Sequence, residues 1–311
     1  MPSFQRKLEL DMKRSSYLLT ALIVLTLSIT AHAKLPQKTV YGIIGRYNDA
    51  FSYQLGYFDL GNPSGMNGSY SFQWNAVGDN HPNALANLAM AQDGTMYANT
   101  GFSEHRTISA EGVLSSKLGD LPGPYSLFGM AFGGSGNLYG TDGSDWLQIN
   151  PDTGAELSRV SMTNALWTLY GSYGLYSSFG GNLAWSSSDS QFYFADGYSS
   201  DLYSIALNGT PTKVNTLSGT DFDANYSIAL FEAEGYMFLL NGARLYYVNT
   251  SDASLYKLGT VSGLPSDVNE YNVFTGAVTT SAVPEPATVM LIAPGIAILL
   301  IVRRQMRYYR S

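Results

Sequence analysis

One pattern recurs four times along this chain and constrains its fold more than any other feature. The copies begin at Leu88-Ala89-Met90, Met130-Ala131-Phe132, Leu183-Ala184-Trp185 and Ile228-Ala229-Leu230. A turn follows in each, at Asp93-Gly94, Ser135-Gly136, Ser188-Asp189 and Glu234-Gly235. An aromatic residue comes next (Tyr97, Tyr139, Tyr193, Phe238), and four residues beyond it a glycine (Gly101, Gly143, Gly197, Gly242). An alternating strand then leads, in three copies, to a further turn at Glu111-Gly112, Thr153-Gly154 and Asn208-Gly209. The copies are spaced by 42, 53 and 45 residues. A period near 45 with three or four short strands per copy is the pattern of β-propeller blades. The glycines fit it, because primed hairpin turns need positive φ. The small Ala of each first strand suits the crowded region near a central axis.

The sequence therefore predicts an all-β chain, a propeller of about five blades. Val40–Ile43 and Leu55–Leu60 read as the second and third strands of a first blade that lacks an inner strand. Tyr271–Val278 reads as a strand without followers. Joined, they make a composite blade that closes the ring with a C-terminal strand and hides both open edges. A sixth blade follows if the insert Met162–Phe179 forms strands of its own. The competing arrangement, a β-sandwich, also uses many short strands but needs no such period.

Both ends differ from this body. Lys13 and Arg14 precede the apolar run Tyr17–Ile29, and Ala31-His32-Ala33 follows it. That is the order of a secretory signal helix, with a small-x-small cleavage site at Ala31 and Ala33. Residues 1–33 are thus expected to be removed, with Met12 the natural start. At the other end stand Val283, Pro284, Glu285 and Pro286, then an apolar stretch from Ala287 to Val302, then Arg303, Arg304, Arg307 and Arg310. The stretch is at the lower limit for a transmembrane helix, and its flanking arginines favour the cytoplasmic side. The body, residues 34–280, then lies outside the inner membrane.

Residues 281–311 resemble the PEP-CTERM sorting signal of Gram-negative bacteria. The resemblance covers the last thirty or so residues alone. It implies processing near Pro284–Pro286 by an exosortase-type enzyme, transient anchoring in the inner membrane, and delivery to the cell surface or the extracellular matrix. It also raises exopolysaccharide and biofilm as the setting. It transfers no activity to the body.

Between Lys34 and Val283 the chain carries nine Lys or Arg against 21 Asp or Glu, a formal charge near −12. Nucleic acid is a poor partner for such a surface, because phosphate binding needs clustered cations. The complete absence of cysteine removes thiol nucleophiles, thiolate metal sites and disulfides. The body's two histidines, His81 and His105, both read as solvated loop residues, and no G-x-S-x-G, H-E-x-x-H or Walker-type loop is present.

The residues ask for no cofactor; the one candidate is calcium. Asp221 and Asp223, with Asn225, Ser227 and Glu232, match several positions of a calcium loop, but Tyr226 stands where that loop needs glycine. Trp167, Tyr170, Tyr173 and Tyr176, spaced by glycine and serine, are the candidate ligand-binding residues, since one face of a sugar ring is apolar. The expectation is a non-catalytic binding or structural propeller. The alternative from another class is a propeller hydrolase or lyase acting on extracellular polymers or lactones.

Overall fold

Short strands alternating with tight turns pair first with their neighbours in sequence, and this chain does so in five successive sheets. The computed structural model describes residues 39–46, 52–61, 70–81, 85–100, 103–122, 127, 129–142, 144–162, 183–197, 199–223, 228–264 and 275–279. All of them belong to the unit Gln37–Ser311. The expected signal helix, the expected transmembrane helix and the sorting residues lie outside the described residues. Among the described residues no helix is long and apolar enough to cross a membrane.

Blade 1 is composite. Its strands are β1 (Thr39–Arg46), β2 (Ser52–Asp59) and β4 (Asn75–His81), with β3 (Tyr70–Gln73) set aside from the sheet. Blade 2 holds β5 (Leu85–Met90), β6 (Met96–Thr100), β7 (Glu104–Ile108) and β8 (Gly119–Asp120). Blade 3 holds β9 (Gly129–Phe132), β10 (Leu138–Thr141), β11 (Asp145–Ile149) and β12 (Glu156–Ser161). Blade 4 holds β13 (Leu183–Ser186), β14 (Gln191–Ala195), β15 (Asp201–Ile205) and β16 (Pro211–Thr216). Blade 5 holds β18 (Ile228–Ala233), β19 (Tyr236–Asn241), β20 (Arg244–Val248) and β21 (Ser254–Ser262), with β17 (Ser218–Gly219) added at its edge. The last strand, β22 (Thr275–Thr279), returns to blade 1 as its inner strand, antiparallel to β1 from Thr39↔Thr279 to Ile43↔Thr275.

The inner strands β22, β5, β9, β13 and β18 touch one another in that order, and β18 touches β22 again. The ring therefore closes at five blades. The conditional sixth blade has no place in the ring between blades 3 and 4, because β9 and β13 are direct neighbours. Residues 163–182 lie outside the described residues.

A second tie joins the first and last blades, and the sequence did not foretell it. β3 leaves blade 1 and pairs in parallel with β21, from Gly259↔Tyr70 to Ser262↔Gln73. The Trp74 N–H then donates to the Ser262 carbonyl at 2.8 Å. The outer edge of blade 5 is covered in this way, which removes a row of unpaired backbone groups.

Each gap between adjacent blades holds one apolar cluster. Blades 5 and 1 meet through Phe231, Phe238 and Leu245 against Phe58, Phe72 and Trp74. Blades 4 and 5 meet through Tyr193 and Leu202 against Leu230, Leu239 and Tyr246. Blades 3 and 4 meet through Tyr139 and Trp146 against Phe192, Phe194 and Tyr203. Two further clusters fill the gaps between blades 1 and 2 and between blades 2 and 3.

The repeated aromatic and the repeated alanine explain each other. Tyr97 lies opposite Ala89, Tyr139 opposite Ala131 and Tyr193 opposite Ala184 across their ladders. Both members face the next blade, so the small residue near the axis leaves room where the sheets converge. The ring one strand out fills the widening wedge. Blade 5 departs from this, with Phe238 opposite Phe231 and Ala229 opposite Leu240.

The turns carry a second, less visible constraint. Gly154 has φ +71°, and a Cβ there would lie 2.9 Å from the His105 Cβ of blade 2. Gly209 has the same relation to Trp146 of blade 3, at 2.8 Å. Gly136 has φ +79° with nothing within 4 Å of its missing Cβ. Gly136→Ala is therefore predicted to cost only the left-handed backbone penalty, about 1–2 kcal/mol. Gly154→Ala adds overpacking and should cost about 2–5 kcal/mol. The urea midpoints of the two variants, compared with the parent, check the ordering.

Candidate functional site

Antiparallel succession sorts the connections between the two ends of the ring. The tight turns joining first to second and third to fourth strands all lie at one end. The second-to-third loops and the connections between blades lie at the other, the end at which propeller loops are free to vary. Of the candidate site residues read from the sequence, Asp221 and Asp223 fall at this loop end. Trp167, Tyr170, Tyr173 and Tyr176 belong to the β12–β13 connection, outside the described residues. Asp221 and Asp223 belong to the connection that precedes β18. Ala31, Ala33, Val283, Pro284, Glu285, Pro286, Arg303 and Arg304 also lie outside the described residues.

Blades 2 to 5 each carry an ion pair at the loop end. In blade 2 Arg106 pairs with Glu104 at 2.9 Å, and the Thr100 hydroxyl donates to the same carboxylate. In blade 3 Arg159 bridges Asp145 and Glu156, at 2.5 and 2.7 Å, and the two carboxylates raise its pKa. In blade 4 Lys213 and the Thr216 hydroxyl both reach Asp201 at 2.7 Å. Although burial opposes it, these partners hold the Asp201 carboxyl below its ordinary value. In blade 5 Lys257 pairs with Asp221 at 2.7 Å and lowers its pKa. Arg244 and the Tyr246 hydroxyl donate to the Asp221 carbonyl.

Asp221 thus turns its carboxylate to an ammonium group rather than joining Asp223 around a cation. Glu232 is held apart from both, near the turn end of β18, where it accepts from the Ser187 hydroxyl at 3.0 Å and from the Gly235 N–H. Among the described residues no three His, Asp or Glu side chains gather as a metal site.

The structure corrects the reading of the histidines. His81 lies in β4 and His105 in β7, not in loops. His105 is fully buried, stacked on Tyr97 with 5.4 Å between ring centroids. Its Nε2 lies 2.7 Å from the carbonyl of Pro151, in the third-to-fourth-strand turn of blade 3. A carbonyl only accepts, so the proton sits on Nε2, and Nδ1 is left buried without a partner. His81 Nε2 likewise meets the Gly112 carbonyl of blade 2 at 2.9 Å.

Trp146 occupies in blade 3 the place that His105 has in blade 2. It donates Nε1–H to Leu207 in the turn of blade 4 at 3.3 Å and stacks on Tyr139. These rings are latches between blades, each seated on the neighbouring turn. Aligning His105 with Trp146 within the repeat, eight and seven residues after Tyr97 and Tyr139, was the sequence signal that could have found them.

Two cavities are lined by described residues. A slot of about 110 Å³ opens at the turn end of the axis, lined by Met90, Phe132, Trp185, Phe231 and Glu232 among others. It is smaller than the range of about 300–1,000 Å³ usual for small-molecule sites. A cavity of about 440 Å³ lies against blades 1 and 2, with Tyr41, Met90, Met96, Ile108, Val113 and Leu114 in its wall and no charged side chain.

No family model matches the chain, and no curated protein matches it significantly. Solved structures resemble it at a distance. The quinupristin-bound virginiamycin B lyase of Staphylococcus aureus shares 14% identity over 75% of this chain and 73% of that one, with a TM-score of 0.40. A gluconolactonase of Xanthomonas campestris shares 10% identity over 74% and 79%, at 0.42. The C-terminal WD40 domain of Sif2 shares 11% identity over 70% and 56%, at 0.33. At these values none of them lends an activity or a ligand to this chain. The strand pairings of its described residues are those of an all-β, five-bladed propeller.

Burial holds the His105 imidazole below its ordinary pKa of 6.5, against the opposing pull of the Pro151 carbonyl and of Asp152. An unfolded chain takes up that proton near pH 6.5 and the folded one resists it. Stability is thus present above that pH and is lost as the pH falls below it. The urea midpoint is predicted to drop between about pH 7.5 and 5.5, and to drop less in His105→Gln.

Proposed function

We propose that this protein is exported and reaches the cell surface or extracellular matrix of a Gram-negative bacterium, where its propeller acts as a non-catalytic binding or structural module. The observation that carries this is the order of the two ends around the body. A charged start, an apolar run and Ala31-His32-Ala33 come first; Val283-Pro284-Glu285-Pro286, an apolar stretch and an arginine cluster come last. On this proposal the signal is removed after Ala33, and the tail holds the chain in the inner membrane until an exosortase-type enzyme acts near Pro284–Pro286. Exopolysaccharide is the partner that such a destination favours.

The body supports a non-catalytic role through its engaged side chains. Both histidines face turn carbonyls of the next blade. The described carboxylates paired with cations are dispersed over blades 2 to 5 rather than converging on one mouth of the ring. A hydrolase or lyase working through axial carboxylates and a divalent ion would need the opposite arrangement.

Mass spectrometry of the protein from surface and inner-membrane fractions tests the address. Surface material is expected to begin at Lys34 and to lack the residues after Pro286, while Pro284→Ala accumulates uncleaved in the inner membrane. Surface protein that still carries Ala287–Ser311 would overturn the proposal.

A further inference from the structure

Blade 5 presents three tyrosines side by side on one face. Tyr256 lies directly opposite Tyr247 across the β20–β21 ladder, with 6.0 Å between ring centroids. Tyr236, from β19, meets Tyr247 edge-on at 6.1 Å. The outer two are 44% and 56% exposed, and Tyr247 between them is half-buried against the cluster that joins blades 5 and 1. The row starts just after the Glu234-Gly235 turn and runs outward across three strands, at the turn end of the ring. Among the described residues the large exposed hydrophobic side chains of blades 2 to 4 are aliphatic: Val113, Leu118, Leu157, Val160 and Leu207. Burial raises the pKa of Tyr247, and its neighbours Tyr236 and Tyr256 raise it further.

The charge around the row selects the partner. Arg244 and Lys257 lie on the opposite face of the sheet, both directed at Asp221. Asp189 and Asp252 are the nearest acids acting on Tyr247. Asp189 already accepts from Ser186, Tyr193 and Thr250, and Asp252 from the Ser254 N–H. What remains is a neutral aromatic strip with hydroxyl tips on a body of net negative charge. A pyranose ring has one apolar C–H face and a rim of hydroxyls, which matches that surface. An acidic polymer would meet repulsion from the body, and a cationic peptide would have to compete with the hydroxyl and amide donors that Asp189 and Asp252 already hold.

We propose that Tyr236, Tyr247 and Tyr256 form a stacking strip for an uncharged polysaccharide, an assignment that rests on the exported, non-catalytic role proposed above. These three tyrosines are distinct from Trp167, Tyr170, Tyr173 and Tyr176, and they define the ligand class that the body takes.

Native electrophoresis of the full chain in mild detergent, through gels holding dissolved neutral glucan, mannan or xylan, tests it. At least one of these polymers is expected to retard the protein. Tyr236→Ala and Tyr256→Ala should each weaken the apparent affinity by about fivefold or more. Tyr256→Trp should restore retention, and Leu207→Ala should leave it unchanged. Urea midpoints of the alanine variants close to the parent's would show that the ring is intact.

No retardation by any neutral polymer would overturn the proposal, as would full retention in the double alanine variant. Retention by acidic polysaccharide or polylysine alone would do the same. So would concentration-dependent self-association that the double variant abolishes, which would make the strip a contact between copies. Fractionation of the same cells separates this outcome from failure of the export proposal, because the tyrosine variants leave both processing sites untouched.

Discussion

Every sheet of this ring is apolar on both faces, so no blade can bury itself. The gap clusters are the interaction on which everything else rests. Removing one sheet would expose the inner faces of two others. Full burial of a Leu or Phe side chain contributes about 1.5–3 kcal/mol, and each gap holds several such residues, Phe192, Phe194 and Ile205 being fully buried in one of them. Sequence composition follows from this demand. Aromatic residues recur at the same strand position because the wedge between converging sheets widens outward. Alanine recurs beside them because it narrows inward.

The latches are a smaller effect layered on the same geometry. A ring nitrogen of His81, His105 or Trp146 satisfies a turn carbonyl of the following blade. The turn glycines Gly154 and Gly209 permit the approach. An exposed turn is thereby fixed in angle to the sheet before it. The contact also makes His105 unfit for solvent-facing chemistry, since its remaining nitrogen is enclosed. Its residue type invites a catalytic reading, and its surroundings give it a mechanical one.

Blade number and closure were legible in the sequence because repetition is a local signal, copied four times, and because two orphan strands had only each other to pair with. The conditional sixth blade finds no place in the ring, because β9 and β13 are direct neighbours; the length of an insert alone does not say whether it adds a blade. The parallel addition of β3 to β21 left no mark, since its four residues, Tyr-Ser-Phe-Gln, alternate like any strand and their partner lies far along the chain. His105 was misread for a related reason: its partner carbonyl, on Pro151, lies 46 residues further along the chain, and only the alignment of the repeats relates the two. The tyrosine row was equally hidden, because its members come from three strands and only the ladder registers align them.

The pairing of Thr39 with Thr279 has a consequence for biogenesis. A chain made from its N-terminus produces β1 first and that strand's inner partner last. Blades 2 to 4 pair wholly within themselves and can form as they emerge, but blade 1 must wait with one edge bare. Long-range pairing of this kind slows folding and prolongs exposure to aggregation. Completion of the ring therefore coincides with arrival of the final strand, and a nascent chain halted before it would be an open crescent with sticky ends.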